Sequence, residues 1–406
     1  MSSLRELVRK YEPVLRFGTD RKGRPELFFP MSARDYVHSS GLRRRKVGWV
    51  QQPGETTLAD LSIVPQPEAC YLAYAAGDLG DDAILEANIL LELMDSGLEL
   101  AQPPDDDGFA LESMGAANVV APRILLDSQQ AAQLEAALSS QTAVDRRPVS
   151  TTELTAWFGD EAHESLGGAL EAAGPSAALE TAAVNLEWVQ FPALAGLPAA
   201  IRERARQKYE PFRDWNKFPP VYHYHVCHDR GYKVLQYWFL YPYNDWASHG
   251  GHNDHEGDWE VIYVFLDDHD QARHVAYSKH VTIPFLYGPS TAVWADVEKV
   301  AGTHPVVYVG CGSHASYIEK GPHRFFLYID RAKGDHLAIG PDAHQAWGEP
   351  VALSHKPWNT NFSGPWGALV KSWLGKVLPH TEGPSGPAQK GDKWLHPAQW
   401  ASIPPL

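Results

Sequence analysis

The sequence predicts a mainly β protein, an antiparallel β-sandwich interrupted by an acidic helical segment. Three observations carry this. From about residue 209 the chain runs through "VYHYHVCHD", "YKVLQYWFLYPYN", "DWEVIYVFLD", "RHVAYSKH", "HPVVYVGCGSHASY" and "RFFLYID". These are aromatic and β-branched runs divided by Gly, Pro, Asn and Asp, as a sandwich requires. Residues 11–70 open with two more short runs, "YEPVLRF" and "ELFFP", parted by Asp20, Lys22, Gly23 and Pro25 in a hairpin-like pattern. Between these regions, residues 71–200 hold 21 acidic side chains against 3 Arg and no Lys, a balance of −18. The flanks together come to +3, so one internal segment accounts for the whole net charge of −15. The expected organisation is 1–75 and 199–406 as the two parts of the sandwich, with 76–198 inserted.

Taken in order, a helix is expected at Ser32 to Ser39, followed by the basic run Arg43, Arg44, Arg45, Lys46. Such a run usually forms a solvated surface, and only rarely a site for an anionic lipid or nucleic acid. The inserted segment is rich in Ala, Leu and Glu, with helices expected at 81–96, 127–140, 151–172 and 176–189. Asp127 and Ser150 stand at N-cap positions, and Ser150 with Glu153 has capping-box spacing. Leu134/Leu138 and Leu154/Trp157/Phe158 give the helical apolar spacing. Gln102–Gly108 reads as a surface loop without the alternation of a calcium loop.

Composition excludes several classes. Fourteen Trp, 17 Tyr and 14 Phe supply core enough to rule out disorder of the whole chain. The acidic balance argues against a general nucleic-acid binder. Met1 to Phe17 has no apolar run of signal-peptide type, and no stretch reaches the ~20 apolar residues of a membrane span. Cys70, Cys227 and Cys311 are odd in number and lack metal spacing. A soluble, cytoplasmic protein is expected, with a non-standard export route left open. No phosphate-binding or nucleophile-elbow motif follows any strand.

Chemistry concentrates in the β region, where 12 of the 19 histidines fall between residues 223 and 323. The densest stretch runs from Asn244 to Glu260. Asp258 and Glu260, two apart on a strand, project from one face and Trp259 from the other. His255 lies just before them, with Gly257 allowing the backbone to fold it back, and Asp245 closes the previous strand. Gathered carboxylates repel, and a divalent cation would keep them ionised. Oxygen donors with one imidazole suit Mg²⁺, Ca²⁺ or Mn²⁺. A hydrogen-bonded polar turn accounts for the same spacing. His223, His225 and Cys227 share a strand face and read as ordinary polar residues. His280 and His314 end strands in loops, where sites tend to be built.

"YWFLYPYN", "HEGDWE", "YSKH", "HPVVYVGCGSHASY" and "GPSGPAQKGDKWLHPAQW", with the opening "YEPVLRF…ELFFPMSARDYV", resemble the vacuolar-protein-sorting-associated protein 62 family. This resemblance covers about residues 11–70 and 209–400. A more distant one is to the necrosis-inducing cytolysins, whose signature is G-H-R-H-D-W-E. It implies a lectin- or actinoporin-like sandwich that uses a divalent cation to bind sugar headgroups of sphingolipids. By position it assigns Asp245, His255, Asp258 and Glu260 as metal ligands. Gly257 replaces the second signature His and Glu256 replaces the Arg, which reverses the rim charge and counts against cytolysis.

The expected function is therefore a metal-dependent binding protein for a glycan, lipid headgroup or small-molecule ligand, with peripheral membrane contact. A metal-assisted hydrolase using His280 or His314 as general acid or base is the alternative. A structural or sorting adaptor is the third.

Overall fold

A computed structural model describes residues 3–20, 23–45, 47–75, 123–127, 145–148, 186–190, 197–245, 255–279, 289–325, 328–368 and 384–406. Helix α1 (Leu4–Lys10) starts with a capping box in which Ser3 and Glu6 satisfy each other's backbone N–H groups. Strand β1 (Val14–Arg16) follows, then α2 (Ala33–Ser39), capped by Ser32 as the sequence indicates. "ELFFP" forms no strand. Glu26 instead turns its buried carboxylate onto the backbone N–H groups of Leu27 and Phe28, both at 2.8 Å, in place of a ladder.

Strands β2 (Gly41–Arg44), β3 (Gly48–Gln51) and β4 (Cys70–Ala73) form a small sheet, with α3 (Leu58–Ile63) in the connection. The basic run is not the solvated surface expected of it. Arg43 is buried, its guanidinium 4.9 Å from the centre of the Trp49 ring, and Arg44 donates to the Pro65 carbonyl at 2.8 Å. Lys46 lies outside the described residues.

Between residues 76 and 198 the described residues include a three-stranded antiparallel sheet of β5 (Arg123–Asp127), β6 (Asp145–Pro148) and β7 (Leu186–Gln190), in the order β5-β7-β6. The helix expected at 176–189 is therefore corrected over its last four residues, and of the helix expected at 127–140 only Asp127, the last residue of β5, is described. The run "LEWVQ" has the β-branched and aromatic content that favours a strand over the helical composition around it. The helices expected at 81–96 and 151–172, and the loop Gln102–Gly108, lie outside the described residues. Helix α4 (Leu197–Tyr209) follows.

The larger sheet is built from β8 (His223–Asp229), β9 (Tyr232–Asn244), β10 (His255–Leu266), β11 (Ala272–Tyr277) and β12 (Ser290–Val293). The second contains β13 (Lys299–Val300), β14 (His304–Val309) and β15 (Ser316–Tyr317). "RFFLYID" is not one strand but the corner of a hairpin, with β16 (Gly321–Phe325) returning as β17 (Tyr328–Ala332). Strand β18 (Ala338–Ile339) completes the second sheet, order β13-β14-β1-β18, with β15 on β14. Strand β19 (Val351–Ala352) completes the first, order β12-β11-β10-β9-β8-β19. Pairing is antiparallel except between β1 and β14 and between β19 and β8.

The sheets face each other across one aromatic core. Tyr237 on β9 reaches the Val8 carbonyl at 2.9 Å, Tyr277 on β11 reaches that of Val306 at 3.0 Å, and Phe239 stacks on Trp347. The outer face of the larger sheet is covered too. The C-terminal helices α6 (Asp392–Leu395) and α7 (Pro397–Trp400) lie there, preceded by α5 (Pro357–Asn361). Gln236 donates to the Trp394 carbonyl at 2.9 Å and Tyr263 to that of Lys393 at 2.7 Å. Covered on both faces, β9 buries every residue but Lys233, which is why it reads as a continuous rather than alternating apolar run. No helix among the described residues is long and apolar enough to cross a membrane.

Candidate functional site

The residues singled out by sequence meet where β9 ends and β10 begins, and Gly257 decides which of them face each other. It stands opposite Pro242, between the pairs Glu256↔Tyr243 and Asp258↔Tyr241, with φ +61°. A Cβ there would lie 2.3 Å from the Trp366 carbonyl oxygen and 2.6 Å from the Tyr36 hydroxyl, so the close approach also demands glycine. The left-handed residue resets the alternation. Glu256 turns to the same side as Trp259, whose ring meets Trp366 edge-on at 5.1 Å. There it accepts the backbone N–H groups of Tyr74 at 3.0 Å, Ala368 at 3.1 Å, and Ala75. Asp258 and Glu260 turn the other way. His255 joins their electrostatic neighbourhood: burial lowers its pKa, the Asp258 charge opposes that, and the charges of His314 and Lys390 add to the lowering.

Asp258 is held from two sides. Its Oδ2 accepts from Asn244 Nδ2 at 3.2 Å and from His314 Nδ1 at 3.1 Å. His314 is wholly buried and lies flat on Tyr241, with centroids 3.9 Å apart and planes 1° apart. Its Nε2 is 3.5 Å from Glu26 Oε1. Glu26 in turn accepts the Gly312 N–H at 2.7 Å. Burial alone would lower the His314 pKa, but the Glu26 charge and the bonds to Asp258 and Glu26 outweigh it and raise the pKa to about 10. Glu26 shows the reciprocal effect, with burial overcome by His314 and its pKa lowered.

Glu260 is treated differently. Burial and the Asp258 charge push its pKa up to about 8, against Lys393, Lys390 and His314. Lys390 and Lys393 are half-buried. Burial and the Lys393 charge bring Lys390 down to about 8, and burial lowers Lys393 against the pull of Glu260 and Asp258. Lys393 Nζ donates to Ser278 Oγ at 3.0 Å. Asp245 takes an ion pair from Arg202 on α4, with Nε and Oδ1 2.9 Å apart. Burial raises the Asp245 pKa, and Arg202 opposes it.

Among the buried polar atoms here without a hydrogen-bond partner are Asn244 Oδ1, His255 Nδ1 and Glu260 Oε2. Asn244 and His255 are direct cross-strand partners, and Glu260 lies on the Asp258 side of β10. These positions can accept from a ligand that brings donors or a cation.

The cation expected from sequence finds no ready ligand set. No three His, Cys, Asp or Glu side chains among the described residues are arranged to hold a metal ion. Asp245 is turned to Arg202 and Asp258 to His314, so two expected ligands already face protein cations. His314 is wholly buried with its two ring nitrogens facing carboxylates, an arrangement that suits an electrostatic role rather than the acid or base considered for it. His280, the other candidate, lies outside the described residues.

The histidines of β8 are structural. His223 Nε2 accepts the Ala33 N–H at 3.1 Å below α2, and burial lowers its pKa to about 3. His225 shares a bond of 2.9 Å with Ser354 and stacks on Trp394, while Cys227 accepts from Gln236. Sequence reasoning missed Glu26, Asn244 as an acceptor, Arg202, Lys390 and Lys393. The lysines sit within "QKGDKW", a segment already singled out by resemblance, but nothing in its spacing points to β10.

No family model and no curated protein matches the chain, which leaves the resemblance to the vacuolar-protein-sorting-associated protein 62 family unsupported. Similar solved structures are necrosis- and ethylene-inducing toxins. One is necrosis and ethylene inducing protein 2 from the causal agent of cocoa's witches' broom disease, at 22% identity over 26% of this chain and 49% of that one, TM-score 0.20. NLPPya in complex with mannosamine is 16% identical over 28% of this chain and 48% of that one, TM-score 0.20. NLPPya in complex with glucosamine is 14% identical over 33% and 51%, TM-score 0.22. The chain thus spans about half the length of each, and likeness of this degree fixes neither ligand nor activity.

Proposed function

We propose that the chain is a binding protein that recognises a glycan or lipid headgroup at the end of its larger sheet, through Asn244, His255 and Glu260. The observation that supports this is the group of unpartnered atoms on β9 and β10. A buried polar group without a partner costs about 1–3 kcal/mol, so leaving three together is expensive unless a ligand completes them. Hydroxyl and amino groups of a sugar or headgroup donate in the way these atoms require. Asp258, fixed by Asn244 and His314, holds the strand ends in register beside them. The test is calorimetric titration of the whole chain with a panel of neutral sugars, amino sugars and headgroups. The ligand found should bind the Glu260→Gln variant at least about tenfold more weakly, roughly one lost bond to a charged or polar group, with no fall in Tm. An empty panel, or a variant that binds like the parent, would refute the reading.

A further inference from the structure

The carboxylates expected to hold a metal, together with Glu26, meet basic side chains brought from distant parts of the chain. Glu26, Asp245, Asp258 and Glu260 are answered by Arg202, His314, Lys390 and Lys393. We propose that these protein cations take the place of a divalent metal, so that the site folds and binds its polyol or amine-bearing ligand without one. The ligand half of this rests on the binding reading above; the folding half does not.

The geometry gives each acid a fixed partner or neighbour. Asp245 is ion-paired to Arg202 across 2.9 Å, both side chains only partly exposed at 15% and 20%. Asp258 Oδ2 already accepts two hydrogen bonds, from Asn244 and His314, which fills the lone pairs of that oxygen. The His314 ring stands between Asp258 and Glu26, 3.1 and 3.5 Å away. Carboxylates on both sides favour the doubly protonated cation of this ring, a form that offers a metal no lone pair. Near Glu260, Lys393 is anchored on Ser278 at 3.0 Å and Lys390 lies close enough to feel the same charges. A divalent ion added here would bring further positive charge beside basic groups already buried there, and to reach Asp245 and Asp258 it would have to displace Arg202 and a hydrogen bond from His314.

The experiment uses the full chain. Metal content is measured by elemental mass spectrometry after purification without chelator, and Tm is followed with EDTA, Mg²⁺, Ca²⁺ or Mn²⁺. Substoichiometric metal and an unchanged Tm are expected. The Arg202→Gln variant, which strips Asp245 of its partner, should lose Tm and regain part of it when Ca²⁺ or Mg²⁺ is added. Arg202→Lys, which keeps the charge, should stay indifferent to metal. One equivalent of tightly held metal in the parent, or a fall in its Tm with EDTA, would overturn the proposal even if the glutamine variant does not fold. Binding separates this from the previous reading. A ligand that binds equally with and without EDTA supports both, one that binds only with metal overturns this proposal alone, and no ligand in either condition overturns only the binding reading.

Discussion

Replacing Gly257 by alanine tests whether this residue sets the site. Its backbone lies at φ +61°, where a side chain costs about 1–2 kcal/mol. The new Cβ would also meet the Trp366 carbonyl oxygen at 2.3 Å, an atom of the backbone that cannot rotate away. Relieving such a contact by shifting the main chain typically costs about 1–3 kcal/mol more. Together these give about 2–5 kcal/mol, a large part of the roughly 5–15 kcal/mol that holds a domain folded. The assay is urea unfolding followed by tryptophan fluorescence, with Gly302→Ala as control. Gly302 has φ +76° and open space where a Cβ would go, so its variant should lose only the conformational part, about 1–2 kcal/mol. The difference between the two variants isolates the contact with Trp366. Equal losses at the two positions, or a loss below about 1 kcal/mol at Gly257, would refute the role given to the close approach.

Trp238→Ala, at a wholly buried position on β9, should cost about 3–5 kcal/mol in the same assay. Glu256→Gln keeps the shape but weakens acceptance from three backbone N–H groups, with an expected loss of about 1–3 kcal/mol by urea unfolding. Stability should fall between pH 6.5 and 8. His314 keeps its proton to about pH 10 when folded but releases it near 6.5 when unfolded, so its contribution is complete below 6.5 and declines above. Glu260, raised from 4.5 to about 8, acts in the same direction over its own window, whereas Lys390, lowered from 10.5 to about 8, opposes both above pH 8. Urea midpoints at closely spaced pH values check this, and His314→Asn should flatten the slope; a flat profile in the parent would show that the imidazole is not held as a cation.

The strands that carry the site were legible because their signal is local. β9 and β10 are long, aromatic and β-branched, and a spacing of two puts Asp258 and Glu260 on one face whatever the rest of the fold does. Strict alternation would have sent His255 to the face of Trp259, and only the positive φ of Gly257 reverses that. "RFFLYID" misled because a hairpin corner can be as aromatic as a strand when both arms continue beyond it. Leu186–Gln190 misled because helix-favouring Ala and Glu surround a short run whose partner strands lie about 40 and 60 residues away. Glu26 looked like the start of a strand, and its side chain took the amides that a strand would have offered to a neighbour.

The same limit explains why a metal was the natural expectation. Between Lys233 and Arg273 the sequence contains no Lys or Arg, yet this stretch carries Asp245, Asp254, Glu256, Asp258 and Glu260. Read locally, such acids have nothing to neutralise them, and a bound cation is the simplest remedy. The fold supplies a different remedy from far along the chain. Arg202 comes from α4, His314 from the turn after β14, and Lys390 and Lys393 from the C-terminal segment. Glu256 needs no cation, since its carboxylate is held by backbone amides. A metal site gathers its ligands and leaves its charge to solution, whereas a site neutralised by its own chain must bring bases from segments that sequence spacing cannot connect. That difference makes Arg202 the more informative residue to change: a metal site would tolerate its loss, and a self-neutralised one would not.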